Sequence, residues 1–345
     1  MKTADITLVF QGVFKPYVTR AHENFARNIR LTHKVLPGAR VILSTWAGAE
    51  LPPGLALDAL VESDDPGALA PLKLDDHKAN NVNRQLRSTR AGLEAVDTPY
   101  AAKLRTDAFL EHAGFIDYYR EQTVLDGGHQ RLLASSFFTL DPTMFERLPY
   151  HLGDWFQFGP TPLLRAYWAA PPMSSRDARQ YEHQAHPPGS TVLERRFRAR
   201  FAVEQHLCLH FAHARGYAVP RFLNDVSDAV LSDYQRFLAH EVMLLDPWQI
   251  GLRIDKYGWV GNSPFQRLNN LMHLDWLALA NPMLAGAADP EAVHALIKAR
   301  RRQKALARLA FHHSRALHGL LFDARRPHHP VRRLAAGIVR RLARS

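Results

Sequence analysis

Residues 100–110 have the sequence YAAKLRTDAFL, and this stretch predicts a short buried strand that ends in a polar step at Asp107. In an open α/β sheet, ligands bind in the crevice beyond the carboxyl ends of the strands. A carboxylate at such a strand end can hold a divalent cation or accept a hydrogen bond from a sugar hydroxyl. Asp also commonly caps the turn that follows a strand. Taken alone, the stretch leaves both roles of Asp107 open.

The sequence before this stretch alternates between strand-like and helix-like segments. The predicted strands are the short apolar segments at 5–10, 39–46 and 59–62. The predicted helices are residues 24–35 and 80–96, which carry apolar side chains at helical spacing. Strands that alternate with helices predict a mostly parallel sheet.

The signals after residue 110 are less regular. We predict a helix at 111–120, a strand at 130–140, a short apolar piece at 155–159 and a mobile loop at 169–190. A helix at 190–214, which can break near Arg200, an irregular segment at 220–260 and a long basic helix opened by Asp289-Pro290-Glu291 follow. The loop prediction rests on a composition rich in Pro, Ser, Arg and His with little apolar content.

The composition is that of an ordinary globular protein, with 345 residues of which 46% are hydrophobic and 10% aromatic. Cys208 is the only cysteine, so no intrachain disulfide can form, which fits a reducing compartment. No apolar run approaches the roughly 20 residues that span a bilayer. The chain opens with a strand-like segment instead of a signal peptide. We therefore expect a cytoplasmic protein without a transmembrane segment.

The net charge of +11 is concentrated at the C-terminal end. Residues 296–345 contain 14 Lys and Arg and one acid, whereas residues 1–295 contain 30 Lys and Arg and 32 Asp and Glu. Within 331–342 the apolar side chains share one helical face and the arginines lie mostly elsewhere. Such a helix suits an anionic membrane surface, or it packs on its own domain or a partner. The near-neutral remainder argues against a nucleic-acid-binding core.

Two predicted helices contain polar side chains of kinds that bind anions or act as a base. Asn81 and Arg84 lie in the first turn of one helix, where the helix dipole and a guanidinium both favour anions such as phosphate. A cap and a surface charge are the alternative interpretation. Glu204 lies in an otherwise apolar helix, where a partly buried carboxylate can act as a general base. A salt-bridged or solvent-facing Glu is the alternative.

Asp154 precedes three aromatic side chains in the segment 154–159. Aromatic faces suit sugar rings, and the acid can bind hydroxyls; a core strand capped by Asp explains the segment equally well. His206, His210 and His213 share a helical face, but with 19 histidines in the chain coincidence explains this better than zinc. The sequence has no Gly-x-x-x-x-Gly-Lys loop, no Gly-x-Ser-x-Gly elbow and no Cys pair, which excludes most P-loop, serine-hydrolase and zinc-finger proteins.

Seven short motifs occur in an order that one known family shows. They are VFQG at 9–12, LSTW at 43–46, DDPG at 64–67, NNVNRQ at 80–85, KLRTD at 103–107, DWFQFG at 154–159 and EQ at 204–205. In these motifs the chain resembles the WavE lipopolysaccharide-synthesis family, which itself resembles the GT-A class of nucleotide-sugar glycosyltransferases. The resemblance covers about residues 5–215.

The resemblance implies an α/β fold with a GT-A-like, Rossmann-type nucleotide-binding sheet, helices on both faces and a mainly helical basic C-terminal region. It implies a glycosyltransferase domain at 1–285, with a nucleotide-binding half at about 1–110 and an acceptor half at about 111–285. A basic helical tail at 286–345 would follow.

The same resemblance implies roles for individual residues. Gln11 and Gly12 would lie where the first strand opens onto the nucleotide, and Asp64 and Asp65 would contact its base or ribose. The remaining donor-binding candidates are Asn81, Arg84, Arg105 and Asp107. The segment 154–159 resembles the glycine loop of the GT-A pattern, which makes Asp154 a catalytic candidate. Glu204 resembles the helix acid that deprotonates the acceptor hydroxyl in an inverting enzyme.

The GT-A pattern also has an Asp-x-Asp motif that binds a metal, and here Arg105 stands in place of its first acid. One interpretation is that Asp107 and diphosphate oxygens hold a divalent cation, Mg²⁺ or Mn²⁺. The other is that Arg105 replaces the metal and neutralises the leaving diphosphate directly.

The function implied is transfer of a sugar from a nucleotide-sugar donor to a lipopolysaccharide-core or capsule-type acceptor that is lipid-linked. The enzyme would be cytoplasmic and peripheral on the inner membrane, held to the anionic surface by its C-terminal tail. The alternative is a non-catalytic scaffold that binds a glycolipid or a partner in polysaccharide assembly. Nucleic-acid binding through the tail is the weakest interpretation.

Overall fold

The computed structural model describes residues 1–13, 19–51, 53–254, 257–258, 260–280, 290–313, 330 and 334. Its strands are β1 (Ile6–Gln11), β2 (Arg40–Trp46), β3 (Ala59–Ser63), β4 (Tyr100–Arg105), β5 (Phe109–Leu110), β6 (Leu132–Ser135), β7 (Phe156–Pro160), β8 (Val242–Leu245) and β9 (Leu252–Arg253). Its helices are α1 (Thr19–Val35), α2 (Val82–Glu94), α3 (Gly114–Leu125), α4 (Thr161–Tyr167), α5 (Ser175–Ala178), α6 (Gln180–His183), α7 (Val203–Ala214), α8 (Asp228–His240), α9 (Pro247–Ile250), α10 (Pro264–Asn269), α11 (His273–Ala280) and α12 (Pro290–His313).

Within the described residues, seven strands form one sheet in the order β3-β2-β1-β4-β7-β6-β8. The first four strands are parallel and have the 3-2-1-4 order of a doubly wound nucleotide-binding half. β7 is antiparallel to both β4 and β6, while β6 and β8 are parallel. The predicted α/β class with a mostly parallel sheet is confirmed.

Helices cover both faces of this sheet, as expected for strands that are buried on both sides. Val9 faces α2, since a Cβ built on Gly92 of that helix would lie 2.5 Å from Val9 Cγ1. The next residue, Phe10, packs edge-on against Phe25 of α1 with 5.8 Å between ring centroids. Because successive side chains of a strand point to opposite faces, α1 and α2 lie on opposite sides of the sheet.

The prediction of a mobile loop at 169–190 is wrong, because these residues contain α5 and α6. Ser174 caps α5 by accepting a hydrogen bond from the Asp177 amide at 3.0 Å. Ala178 is buried, which fixes the segment to the body of the protein. The polar composition gave no helical signal, because α5 depends on the Ser174 cap and on the buried Ala178 side chain.

The predicted helix at 190–214 begins only at Val203. The residues before it are held by Glu194, whose buried carboxylate accepts hydrogen bonds from Arg147 and Asn224 and from the Thr191 amide. Such a network imposes an irregular backbone that helix propensity does not reveal. The predicted strand at 130–140 is likewise shorter and ends at Ser135.

The prediction of an irregular segment at 220–260 is also wrong, because these residues contain α8 and β8. Tyr234, Phe237 and Leu238 of α8 are buried, and β8 is buried along its whole length beside β6. The strand is only four residues long, so its apolar run does not stand out from that of the preceding helix.

The first part of the predicted basic tail, α12, packs on the rest of the chain. Ile297, Lys304, Ala307 and Phe311 are buried along one side of this helix. The helix predicted over 331–342 lies outside the described residues, apart from Leu334, which is exposed. Among the helices that the structure describes, none combines the length and apolar character needed to cross a bilayer.

Candidate active site

The carboxyl ends of β1 to β4, β6 and β8 meet at one edge of the sheet, and most predicted site residues lie there. The strand register pairs Gln11 at the end of β1 with Arg105 at the end of β4. Gly12, at φ +141°, continues the turn, and a Cβ at this position would lie 2.9 Å from Thr106 Oγ1. Gln11 itself is buried and donates a hydrogen bond from Nε2 to Ser88 Oγ of α2 at 2.9 Å. Both residues therefore shape the edge of the sheet, with the Gln11 side chain turned toward α2.

Arg105 and Asp107 form a bidentate ion pair just beyond β4. Arg105 Nε and Nη2 each donate a hydrogen bond to a different Asp107 carboxylate oxygen, both at 2.8 Å. Burial would lower the pKa of Arg105, but the hydrogen bonds and charge of Asp107 raise it well above its ordinary value. The side chains are 24% and 36% exposed, so the pair is both fixed and reachable from solvent. It presents a rigid guanidinium at the sheet edge.

Asp107 was predicted as a ligand of a divalent cation, and its surroundings fit that role poorly. Both carboxylate oxygens accept hydrogen bonds from Arg105, so a cationic group already occupies the position that a metal would take. In the part of the chain that the structure describes, no three His, Cys, Asp or Glu side chains are grouped to hold a metal ion. The geometry favours the interpretation in which Arg105 itself supplies the positive charge.

A cavity of about 360 Å³ lies near Arg105, which contacts the lining residue Tyr257, and we call it the aromatic cavity. Four aromatic side chains contribute to its wall: Phe137, Trp155, Trp248 and Tyr257. Tyr257 stacks on Trp155 with 4.7 Å between centroids and a 27° interplanar angle, and the Arg105 guanidinium lies 5.9 Å from the Tyr257 ring. The cavity therefore combines stacked aromatic faces with an adjacent fixed positive charge.

The segment 150–155 forms one side of this region and approaches the end of β6 closely. Gly153 has no room for a side chain, because a Cβ would lie 2.2 Å from the Phe137 carbonyl oxygen. Its amide donates a hydrogen bond to Thr139 Oγ1 at 2.9 Å. The contact positions Trp155 beside Phe138, whose ring centroid is 4.8 Å away.

Asp154, a predicted catalytic residue, lies in the interior beneath the cavity. The buried Lys103 ammonium donates a hydrogen bond to the Asp154 carbonyl at 2.6 Å and lies 3.4 Å from its carboxylate. Burial lowers the pKa of Lys103, while the charge of Asp154 opposes that change. Lys103 also lies 4.8 Å from the centroid of the Trp168 ring. This arrangement favours a role for Asp154 in holding the segment 150–155 over a direct contact with substrate.

Glu204, the predicted general base, forms a pair with His151. Glu204 Oε2 lies 3.2 Å from His151 Nε2, and His151 Nδ1 donates to the Phe138 carbonyl at 2.7 Å. Burial opposes charge on both groups, but their mutual attraction raises the pKa of His151 and lowers that of Glu204. The pair is therefore ionised, with both imidazole nitrogens acting as donors. The Glu204 side chain remains 19% exposed.

Two residues with left-handed backbone flank this pair. Phe138 has φ +62° and Tyr150 has φ +60°, values that non-glycine residues adopt rarely. Phe138 supplies the carbonyl that binds His151, and Tyr150 directly precedes His151. Backbone strain of this kind concentrates at functional sites, and here it fixes the orientation of the imidazole.

A separate group of predicted residues lies beyond β3. Arg84 makes a bidentate ion pair with Asp65 at 2.8 and 2.6 Å and donates a hydrogen bond to Asn81 Oδ1 at 2.9 Å. The hydrogen bond from Arg84 lowers the pKa of Asp65. Asp64 is exposed beside them. The structure thus brings Asp65, Asn81 and Arg84 together, two strands away from Gln11 in the sheet.

The sequence patterns did not single out His151, Tyr257 or Trp248 as site residues. His151 gave no signal because its partners lie 13 and 53 positions away in the chain. Lys103 offered a usable signal, since a lysine inside an apolar strand requires a buried partner. The roles of Glu204, Asp154, Asp107 and the other named residues in catalysis or binding stay predictions.

Three solved structures that match this chain share little sequence with it. The galactosyltransferase LgtC with donor and acceptor sugar analogues is 9% identical with a TM-score of 0.29, over 50% of this chain and 62% of that one. Residues 1–349 of TarS from S. aureus are 9% identical with a TM-score of 0.31, over 94% and 77%. A 2-C-methyl-D-erythritol 4-phosphate cytidylyltransferase from Thermus thermophilus is 16% identical with a TM-score of 0.28, over 61% and 98%. The chain thus spans less than two thirds of the LgtC structure.

Comparison with protein families gives a stronger result. No curated protein sequence matches this chain. The model of one family, described as WavE lipopolysaccharide synthesis, matches residues 6–309. This match covers most of the chain and includes the sheet, the aromatic cavity, the His151–Glu204 pair and most of α12. The chain belongs to the WavE lipopolysaccharide synthesis family.

Proposed function

We propose that this chain is a glycosyltransferase that moves a sugar from a nucleotide-sugar donor to a lipopolysaccharide-core or capsule-type glycan acceptor. The family supports a role in lipopolysaccharide synthesis. The observation that carries the proposal is the fixed Arg105–Asp107 pair beside the aromatic cavity at the carboxyl edge of the sheet. Ligands of open α/β sheets bind at this edge.

In this proposal Arg105 binds the diphosphate of the donor. Asp107 occupies the Nε and Nη2 edge of the guanidinium and thereby holds it in one orientation. A fixed positive charge binds the diphosphate more strongly as negative charge develops on it during departure, which favours the transition state. The rings of Trp155 and Tyr257 provide apolar faces for the sugar. No step requires a metal ion.

The His151–Glu204 pair supplies the base. Glu204 is ionised, as a base must be, and it takes the proton of the acceptor hydroxyl when that oxygen attacks the sugar carbon. His151 holds the carboxylate in place and balances its charge. This assignment applies to an inverting transfer, in which the acceptor attacks directly.

The proposed location is the cytoplasmic face of the inner membrane, with the acceptor linked to a lipid. The concentration of positive charge in residues 296–345 supports this location, because basic segments bind anionic leaflets.

A panel of UDP, GDP and CMP, each with EDTA or with Mg²⁺ or Mn²⁺, tests the proposal by melting temperature. We expect one nucleotide to raise the melting temperature, since a ligand that binds only the folded state stabilises it. We expect that increase to persist in EDTA, because Arg105 takes the place of a metal. Arg105→Gln should weaken nucleotide binding by roughly ten- to hundredfold, because the loss of a hydrogen bond to a charged group usually has an effect of this size.

Arg120→Gln is the matched control, because Arg120 is an exposed arginine that pairs with Asp117 on α3. It should bind the nucleotide as the native protein does. Absence of stabilisation by any nucleotide would refute the donor site and favour the scaffold alternative.

A further inference from the structure

A second cavity, of about 280 Å³, lies between α8, α11 and α12, and we call it the helical cavity. Its wall is mainly aliphatic, with leucines from three parts of the chain and one isoleucine from α12. The principal side chains are Leu231, Leu238, Leu271, Leu274, Leu279 and Ile297. The aromatic cavity shares none of these residues. An apolar space of this size suits a hydrocarbon chain.

The wall of the helical cavity also contains two acids, and both are neutralised within the protein. Lys304 is buried and donates hydrogen bonds to Asp141 at 2.8 Å and to Asp275 at 3.0 Å. Arg300 donates a further hydrogen bond to Asp275 at 2.8 Å. The attraction of these cations lowers the pKa of Asp275 despite its burial. The acids therefore add little negative charge to the cavity.

The rim of the helical cavity is positive. Arg301 and Arg308 both line the cavity and are exposed, and they lie seven residues apart, or two turns, on the same side of α12. A ligand with an apolar chain inside the cavity would place a head group near these two guanidinium groups. The chemistry complementary to this arrangement is one hydrocarbon chain attached to an anionic phosphate.

The outer face of α12 continues the same pattern. Lys298 and Arg302 are exposed next to this rim, and Leu296 and Leu309 are exposed at 55% and 54%. Exposed leucines among basic side chains are typical of helices that lie in the interface of a bilayer. We therefore expect the opening of the helical cavity to face the membrane surface, where acyl chains and phosphates occur together.

We propose that the helical cavity binds one acyl chain of an anionic phospholipid, whose phosphate contacts Arg301 and Arg308. The occupant is a membrane lipid of the anionic leaflet. This site is separate from the proposed donor site and does not depend on sugar transfer. A failure of the nucleotide experiments would leave it untouched.

Photocrosslinking of the full chain tests the site directly. The probe is phosphatidylglycerol with a photoreactive group in one acyl chain, mixed into phosphatidylcholine vesicles, and labelled peptides are identified by mass spectrometry. We expect labels on the segments around Leu231 and Leu274. Labels confined to other parts of the chain would overturn the proposal.

Ala278→Trp fills the helical cavity without changing charge, and Ala295→Trp places the same side chain on the exposed side of α12. Ala278→Trp should abolish the specific label, whereas Ala295→Trp should keep it, with melting temperatures that show both variants are folded. Equal labelling of the two variants would contradict the site.

A second test changes only exposed side chains at the rim of the cavity and none in its interior. Arg301→Gln with Arg308→Gln should weaken binding to phosphatidylglycerol vesicles by roughly 25-fold, because each basic side chain near an anionic surface contributes about a fivefold factor. Lys298→Gln with Arg302→Gln removes the same charge from side chains that do not line the cavity, so the fraction of vesicle-bound protein that is crosslinked should stay unchanged. Loss of the crosslink in this control pair alone would also overturn the proposal.

Discussion

His151 is bound on both ring nitrogens, and this determines the state of Glu204. The Phe138 carbonyl can only accept a hydrogen bond, so Nδ1 must carry a proton. Their mutual attraction raises the pKa of His151 and lowers that of Glu204, which favours the second proton on Nε2 and a charged Glu204 carboxylate. The Glu204 side chain is 19% exposed, which fits its proposed role as a base.

Glu204→Gln tests the base at the level of one residue. The amide keeps the size of the side chain but cannot accept a proton, so we expect turnover to fall by roughly 10² to 10⁴-fold, the usual contribution of a general base. Nucleotide affinity, measured by calorimetry, should stay unchanged because Arg105, and not Glu204, is proposed to bind the donor. A variant that keeps native turnover would contradict the role of Glu204.

The same pair predicts how stability depends on pH. The folded pKa of His151 lies above its ordinary value of 6.5, so its contribution is complete below that value and is lost as pH rises through the folded pKa. The folded pKa of Glu204 lies below its ordinary value of 4.5, so its contribution is present above that value and is lost as pH falls through the folded pKa. The pair stabilises the fold most between pH 4.5 and 6.5.

Denaturant unfolding of the native chain and of His151→Gln measures this contribution. We expect the native chain to be more stable by roughly 1 to 3 kcal/mol near pH 6. The difference should narrow as pH rises through the raised pKa of His151, where the imidazole loses its second proton. A difference that grows with pH would contradict the ionised pair.

At the level of elements, the segment 150–155 and the end of β6 form one unit. Leu140 and His151 are joined through a backbone hydrogen bond of 2.9 Å, and the Thr139 hydroxyl accepts a hydrogen bond from the Gly153 amide. Trp155 and His151 both depend on this contact, since one lies on each side of Gly153. The aromatic cavity and the His151–Glu204 pair are therefore built on the same close approach of two backbone segments.

Gly153→Ala tests this unit. The added methyl would meet backbone atoms, which cannot move as a flexible side chain can, so we expect a loss of roughly 1 to 3 kcal/mol in unfolding free energy, or more. Gly261→Ala is the matched control, because its Cβ would lie 3.7 Å from the nearest atom, in ordinary contact with Phe137. Chemical denaturation should show a much smaller loss for the control. Similar losses in both variants would contradict the close approach.

The sequence predicted the elements before residue 105 well, because long apolar strands and amphipathic helices carry their own periodic signal. The start of α7 escaped prediction because the buried hydrogen bonds of Glu194 hold the residues before it. The helices in 169–190 escaped prediction because their composition is polar, and α5 depends on the Ser174 cap and the buried Ala178. The positions of Gln11 and Arg105 at strand ends could be predicted from the sequence. The position of His151 could not, since its contacts cross 13 and 53 positions of the chain.

At the level of the whole molecule, the concentration of positive charge and the proposed active site lie in different parts of the chain. Residues 1–295 carry 30 basic and 32 acidic side chains, so the membrane attraction proposed here depends on the region that follows. α12 supplies part of that charge in the described structure, and the tail beyond it supplies the rest.

Deletion of residues 326–345 separates these two contributions. The deletion removes Arg326, Arg332, Arg333, Arg340, Arg341 and Arg344. We expect binding to anionic liposomes in a co-sedimentation assay to fall by at least about tenfold, while nucleotide stabilisation stays unchanged. Unchanged liposome binding would show that the tail is not the anchor.

The Lys304 ammonium connects α12 to two acids that the rest of the chain buries, Asp141 and Asp275. A fragment cut before Arg300 would retain both carboxylates without the cations that α12 supplies. Removing one partner of a buried ion pair is strongly destabilising. Asp141 is three residues from Phe138, whose carbonyl orients His151. The shortest fragment suitable for crystallisation or assay therefore extends past Phe311, because α12 belongs to the folded body of the protein as well as to the surface proposed to face the membrane.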